Sequence, residues 1–405
     1  MHSVIIPKRF LRLSLFLSAC LFIAFILIRS RGESLPDSQK NNILPDTAPI
    51  LGSNNDLPSF CNVLDISNIA FVTKTGATEA MHKLPAPLTT SLRCVSDPLI
   101  FSDLDQSIGP YQIHDVLSQF SEEAITNNRD FDIYHKQKAL AAKGRQRELE
   151  KLGDLPILTY DWRAKGRNAA WALDKYKFLH MIDQAFAQQP NKDWYIFIEA
   201  DTYLSLANLV QFLENKNPAD KLYFGNAVRM FEHPTELYFA HGGSGFILSH
   251  ATVKDFAKRY DSIAKFEWDM RTKYEYFGDF LVADALDEIS NVKLTDVLPM
   301  MQGDSPLDFP FGKHSWCLPA ITLHHMAAED FQKVFDYEQT RNFAGMLYRD
   351  LFGLFFEEPF PFEKEHWQNS ADNGKFELEL VQNEDRKSTR LNSSHSGESR
   401  MPSSA

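Results

Sequence analysis

The 405-residue chain has few cysteines and no pattern of them that would hold a metal. Cys20, Cys61, Cys94 and Cys317 form no CxxC pair and no Cys/His cluster, which argues against a zinc ribbon or finger. Basic surface is also lacking. The formal net charge is -12, and no basic patch suggests nucleic-acid binding. Internal repeats are absent, which excludes a solenoid or propeller. An asparagine sequon occurs once, at Asn392-Ser393-Ser394, inside the C-terminal stretch "DRKSTRLNSSHSGESRMPSSA". That stretch, 385–405, looks like the in-frame translation of a sequencing-library adapter and is set aside as a disordered artefact. It carries Arg386, Lys387, Arg390 and Arg400 against Asp385 and Glu398, so the rest of the chain is more acidic still.

Leu13 to Ile28 is apolar apart from Ser14, Ser18 and Cys20, with Phe10 and Leu11 extending it. A bilayer core takes roughly 17–25 helical residues, so the stretch is just long enough. Lys8, Arg9 and Arg12 precede it, and Arg29-Ser30-Arg31 follows where a cleavable signal would need small residues. The expected organisation is a cytoplasmic tail (1–12), an uncleaved transmembrane anchor (13–29), a stem rich in Ser, Pro, Asn and Asp (30–59), and one lumenal domain (60–384). A cleaved signal peptide is the alternative.

Within the domain, strand-like runs alternate with helical patterns. Ile69-Ala70-Phe71-Val72 reads as a strand ending at Thr73-Lys74-Thr75, and Leu99-Ile100-Phe101 as another ending at Ser102-Asp103. Residues 132–152 read as one charged, solvent-facing helix. In "WALDKYKFLHMIDQAF", Leu173, Tyr176, Leu179 or His180, Ile182 and Phe186 repeat at three- and four-residue spacing, which predicts a packed helix. Tyr195-Ile196-Phe197-Ile198 is a strand running into Glu199-Ala200-Asp201. Leu206, Leu209, Val210 and Leu213 mark a short helix, and Leu222-Tyr223-Phe224 and Leu237-Tyr238-Phe239 mark further strands. This alternation predicts an α/β fold with a mostly parallel sheet, whose ligands sit beyond the carboxyl ends of the strands.

Residues i and i+2 of an extended strand share a face, roughly 6.5 Å apart. Glu199 and Asp201 are therefore expected side by side. That spacing suits a cation with oxygen ligands, magnesium or manganese, better than a hydrolase, whose two acids must face each other across a sugar.

Seven blocks then carry a resemblance: "FVTKTGATEAMHKL", "LRCVSDPLIFSDLDQSIG", "WALDKYKFLHM", "DWYIFIEADTYL", "FAHGGSGFILS", "YFGDFL" and "PFGKHSWCLPAITLHHM". Over about 61–330 the chain resembles the Fringe-like β1,3-glycosyltransferases, most closely fungal members related to core-1 β1,3-galactosyltransferase. The resemblance implies a GT-A (Rossmann-like) fold, a Golgi or ER anchor with the catalytic domain lumenal, a UDP-sugar donor, a glycan or glycoprotein acceptor, Mn2+ or Mg2+, and inversion at the anomeric carbon. It implies Asp201 as metal ligand with His324 or His325 closing the site, His324 being preferred. Glu199 and Ala200 of the acidic motif, with Lys74, Thr75 and Asp103, would bind the donor. His241, Gly242, Gly243, Ser244 and Gly245 would face donor and acceptor sugars, and Asp279 would be the catalytic base. Asp279 can also be read as a helix N-cap, since "FLVADALDEI" follows. Relatives often carry cysteines just before the Gly-Asp, where Tyr276-Phe277 stand here. Cys317 is thus expected to lack its partner, with Cys61 and Cys94 left to bridge. The rival readings are a catalytically silent lectin or scaffold on the same fold, and a secreted hydrolase.

Overall fold

The computed structural model describes residues 59–155, 169–230 and 237–356. All of them lie in the second of two compact units, Leu51–Ala405. The expected tail, anchor and most of the stem fall outside the described residues, as does 385–405. Among the described residues, no helix is long and apolar enough to cross a membrane.

Among the described residues the strands are β1 (Ile69–Lys74), β2 (Leu99–Ser102), β3 (Gln106–Ile108), β4 (Tyr111–Asp115), β5 (Trp194–Glu199), β6 (Tyr203–Leu204), β7 (Tyr223–Gly225), β8 (Ala227–Arg229), β9 (Tyr238–Ala240), β10 (Phe246–Ser249), β11 (Thr295–Asp296) and β12 (Thr322–Leu323). Eight form the central sheet, in the order β11-β7-β10-β5-β1-β2-β4-β3. β1 runs parallel to both β5 and β2, and β2 to β4. β10 is antiparallel to both its neighbours. The fold is mixed α/β on a mostly parallel sheet.

The unbroken apolar runs of β1 and β5 follow from burial on both faces. Side chains alternate between faces along a strand. Ala70, Val72, Tyr195 and Phe197 pack with Tyr176, Leu179 and Ile182 of the helix Asp174–Gln188. Ile69, Phe71, Ile196 and Ile198 pack instead with Leu206, Leu209 and Leu213. Numbering the helices that matter below, α1 is Ala80–Lys83, α2 Asp132–Ala141, α3 Gln146–Glu150, α4 Asp174–Gln188, α5 Leu206–Leu213 and α6 Gly278–Ser290.

Two expectations change. The single helix over 132–152 is two, α2 and α3, because the chain turns through Gly144 at φ +66°. Nor is it wholly solvent-facing, since Ile133, Tyr134 and Gln137 are buried. The strand expected at 237–239 is present as β9, which pairs with β8 outside the central sheet. Cys61 and Cys94 are disulfide-bonded, and Cys317 is exposed and free.

Candidate active site

Strand parity decides what gathers at the sheet's carboxyl edge. Lys74 ends β1 in register with Glu199, the end of β5. Both continue the face that carries Val72 and Phe197, and that face meets the first turn of α4. Asp174 is there. Its two oxygens lie 2.5 and 2.6 Å from Lys74 Nζ, with Glu199 on the other side at 3.0 Å. The ammonium also sits 4.4 Å from the Phe178 ring centroid, one turn along α4. Burial opposes the charge on Lys74, but Asp174 and Glu199 outweigh it and hold the amine protonated.

β5 stops at Glu199, so Asp201 is not the next same-face strand residue. A turn closed by Thr202 N–H to Glu199 O (3.0 Å) intervenes. What brings Asp201 to Glu199's neighbourhood is the small β6–β12 ladder, with Tyr203 opposite Leu323. Met326 N–H donates to Asp201 O at 3.0 Å, so the segment after β12 is tied to the same turn. His324 Nε2 then lies 3.4 Å from Asp201 Oδ1 and 3.8 Å from Glu199 Oε2, while its Nδ1 bonds Gly303 O at 2.9 Å. The second nitrogen of a ligating imidazole is usually oriented this way.

The expected choice between His324 and His325 does not arise as posed. Asp201 and both histidines offer ligand atoms within 4.8 Å of one another. Asp201 Oδ1 is buried with no hydrogen-bond partner. One carboxylate oxygen and two imidazoles suit a divalent transition ion such as manganese better than magnesium, which prefers oxygen alone. The residues therefore fit a metal. Burial pushes the Asp201 carboxyl up, yet His324 outweighs it and brings it down to about 2. For His324, burial lowers the imidazole, and the two acids overcome that and raise it to about 10.

The segment 241–245 packs onto this centre as a one-turn 3-10 helix, Gly242–Ser244. Thr202 Oγ1 donates to Gly243 O (2.8 Å), and Thr322 Oγ1 to Ser244 O (2.7 Å). A Cβ on Gly243 would stand 2.1 Å from His324 Cε1, so only glycine lets the imidazole in. Gly245, at φ +76°, leads into β10, and a Cβ there would meet Phe197 O at 2.7 Å. His241 Nδ1 accepts from Ser244 N–H at 3.2 Å.

Asp279 lies against Gly242, next to the Gly243 that packs on His324. Its Oδ2 accepts from Gly242 N–H (2.8 Å) and its Oδ1 from Phe280 N–H (2.9 Å). It is not the N-cap of α6; Phe277 holds that position, with no side-chain cap bond. Burial raises its carboxyl to about 6, against the lowering pull of the two N–H groups.

A cavity of about 540 Å³ joins these parts. Asp174, Lys177, Glu199, Asp201, His324 and Asp279 are all in its wall. Thr75, Asp103, Lys74 and Ala200 lie just behind it. Asp103 Oδ1 accepts from Ala77 N–H (2.7 Å), Lys177 Nζ donates to Thr75 O (2.8 Å), and Ala200 N–H donates to Lys74 O (3.0 Å). Asp103 Oδ2 and Thr75 Oγ1 are buried without partners.

A family model described as Fringe-like matches residues 171–301. Over that stretch the chain is similar to Fringe-like proteins. The Fringe-like match runs from just before α4 past the acidic turn and the 241–245 segment to beyond Asp279, and ends before His324. A solved glycosyltransferase, from the crystal structure of an enzyme involved in the glycosylation of the major capsid of PBCV-1, is similar at 15% identity over 40% of this chain and 75% of that chain, with a TM-score of 0.23.

Sequence reading missed Asp174, Lys177 and Lys83. Lys83 Nζ lies 3.0 Å from Asp201 Oδ2 and 2.9 Å from Glu79 Oε2. A signal for the first two was present. "DKYKF" puts an acid and a lysine three residues apart on the helical face that should have been apolar, and Lys177 is indeed buried.

Proposed function

We propose that the chain is a metal-dependent, inverting hexosyltransferase that moves galactose or N-acetylglucosamine from a UDP-sugar to a hydroxyl of a glycan or glycoprotein. The observation that carries this reading is the convergence of Asp201, His324 and His325 on one side of a cavity whose other side holds a single carboxylate fit to be a base, Asp279.

In this mechanism Asp201, His324 and His325 would hold manganese, which when bound stabilises charge on the departing UDP. Asp279, fixed by the Gly242 and Phe280 N–H groups, takes the proton from the acceptor hydroxyl as that oxygen attacks. Its carboxyl near 6 makes it ionised at neutral pH, yet a better base than an ordinary aspartate. Glu199, braced from behind by Lys74, keeps that part of the cavity wall polar. Of the other wall carboxylates, Asp174 is held by Lys74 on both oxygens, Glu199 also faces Lys74 and Glu79 pairs with Lys83, so none is a free acid partner for a hydrolase. One base with no covalent nucleophile gives single displacement and inversion.

Residues 13–29 support a signal-anchor reading: a single-pass type II protein of the Golgi or ER membrane with the catalytic domain lumenal. Kinship to the fungal branch of the family and galactose as first donor rest on the motif resemblance alone.

The test is a screen of UDP-sugars for hydrolysis and transfer with and without manganese. One UDP-sugar should be consumed only with the metal present. Complete indifference to every UDP-sugar would favour a silent lectin. Protease protection in sealed microsomes checks topology, and digestion of the domain from outside would contradict it.

A further inference from the structure

We propose that Glu338, a buried acid remote from the cavity, is a positioning residue for the metal centre: it grips the β6 segment by two hydroxyls and so fixes Asp201 against His324. This rests on the reading of Asp201, His324 and His325 as metal ligands.

The link to be secured is slender. Asp201 stands two residues before Tyr203, and His324 directly follows Leu323. The ladder between them has two residue pairs, Tyr203 with Leu323 and Leu204 with Thr322. So short a pairing specifies its own register weakly, and a slip of one residue would turn Tyr203 to the opposite face.

Glu338 lies on a further helix, α7 (Ala328–Thr340). The buried face of α7, with Phe331, Val334 and Phe335, belongs to the same apolar cluster as Tyr203 and Leu323. Glu338 is only 3% exposed. Its Oε2 accepts from Tyr203 OH at 2.6 Å, and its Oε1 accepts from Ser205 Oγ. Residues two apart in extended chain share a face, so both hydroxyls reach one carboxylate. Leu204, between them, packs in a different cluster, with Ile196 and Ile198. Ser205 passes the restraint on. Its N–H donates to Ile321 O (2.8 Å), on the segment entering β12. Its Oγ also accepts from Asn208 N–H at 3.4 Å, the first turn of α5. Buried Asn208 donates in turn to the carbonyls of Ala320 and Met346, each at 2.7 Å.

Stability does not explain an acid here. Burial raises its carboxyl against the lowering pull of the two hydroxyls, and no lysine or arginine among the described residues offsets that. An apolar side chain of the same volume would avoid the cost. What the carboxylate adds is geometry: two acceptor oxygens matched to two donors on one strand, in a satisfied network that admits one arrangement. That arrangement sets where the turn carrying Asp201 meets the segment carrying His324.

The test uses the full chain and reads manganese binding from the electron paramagnetic resonance signal of the free ion, with and without UDP. Glu338→Met keeps the volume and removes both acceptors. It should raise the manganese Kd about tenfold, the low end of what loss of a ligand's supporting contact costs. Glu338→Gln should restore most of the affinity, since its carbonyl accepts from one hydroxyl and its amide donates to the other. Tyr203→Phe, which loses one hydroxyl and keeps the ring, should raise Kd about threefold and add nothing to Glu338→Met; it carries the test if Glu338→Met does not fold. Val334→Ala opens the same helix face without touching the hydroxyls, so it should lower the melting temperature while leaving Kd within twofold. Wild-type affinity in both Glu338→Met and Tyr203→Phe would overturn the proposal, as would an equal loss in Val334→Ala, which would mark general loosening. A wild-type chain that binds no manganese would overturn the metal reading and this proposal with it, whereas binding that survives Glu338→Met overturns the proposal alone.

Discussion

On the proposed mechanism, removing Asp279 should separate chemistry from binding. Its carboxyl titrates near 6 because burial raises it. Only the ionised form can accept a proton, so about one-tenth is active at pH 5 and nearly all at pH 8. With the UDP-sugar identified by screening, kcat/KM should climb about tenfold per pH unit below 6 and level off above it. Asp279→Asn should lower turnover by roughly 10²–10⁴-fold at pH 8 and erase that step. Stability can be worked as well. The folded value lies above the ordinary 3.8, so the contribution to stability is fully present below 3.8 and lost as pH rises through about 6. Two pH units correspond to about 3 kcal/mol. Asparagine escapes that loss, but it has one carbonyl oxygen for two N–H donors, and an unmatched donor costs about 1–3 kcal/mol. The two effects nearly cancel, so the variant should melt close to wild type at pH 8. Calorimetry with UDP and manganese, a pH–rate profile and thermal melts read all three. A flat wild-type profile from pH 5 to 8 would refute the base assignment. So would an Asp279→Asn variant that loses UDP affinity as badly as one lacking Asp201.

Asp201→Asn should abolish manganese-dependent UDP binding, read by the same titration, because it removes the anionic ligand. Gly243→Ala should weaken manganese binding about 10–100-fold by displacing His324, and should add nothing in a His324→Ala background, as a double-mutant cycle would show. Cys61→Ser should lower stability by about 2–5 kcal/mol in denaturant unfolding, while Cys317→Ser should change it by less than about 0.5 kcal/mol.

The central sheet was legible because β1 and β5 are buried on both faces and read as plain apolar runs. α4 was legible from its spacing. Asp201 announced itself by ending such a run with an acid. Other features depend on contacts that no local pattern carries. Lys74 meets Asp174 across 100 residues, and Asp201 meets His324 only because β6 pairs with β12. The side-by-side placement of Glu199 and Asp201 was argued from an extended strand, yet a turn and a distant ladder bring them to His324. The break at Gly144 was visible in the sequence, but surrounding lysines and glutamates masked it as one long charged helix.

The Cys61–Cys94 bridge has a mechanical consequence. Cys61 precedes β1, and Cys94 lies just ahead of β2, so the covalent link spans the entry to the sheet's central strand. A pull on the residues before 59 is shared at Cys61 between the main chain running into β1 and the sulfur link to the segment before β2. β1, which lies between β5 and β2 and ends in Lys74, is therefore not peeled out alone, and a domain towed by its N-terminal side keeps the floor of its cavity under load.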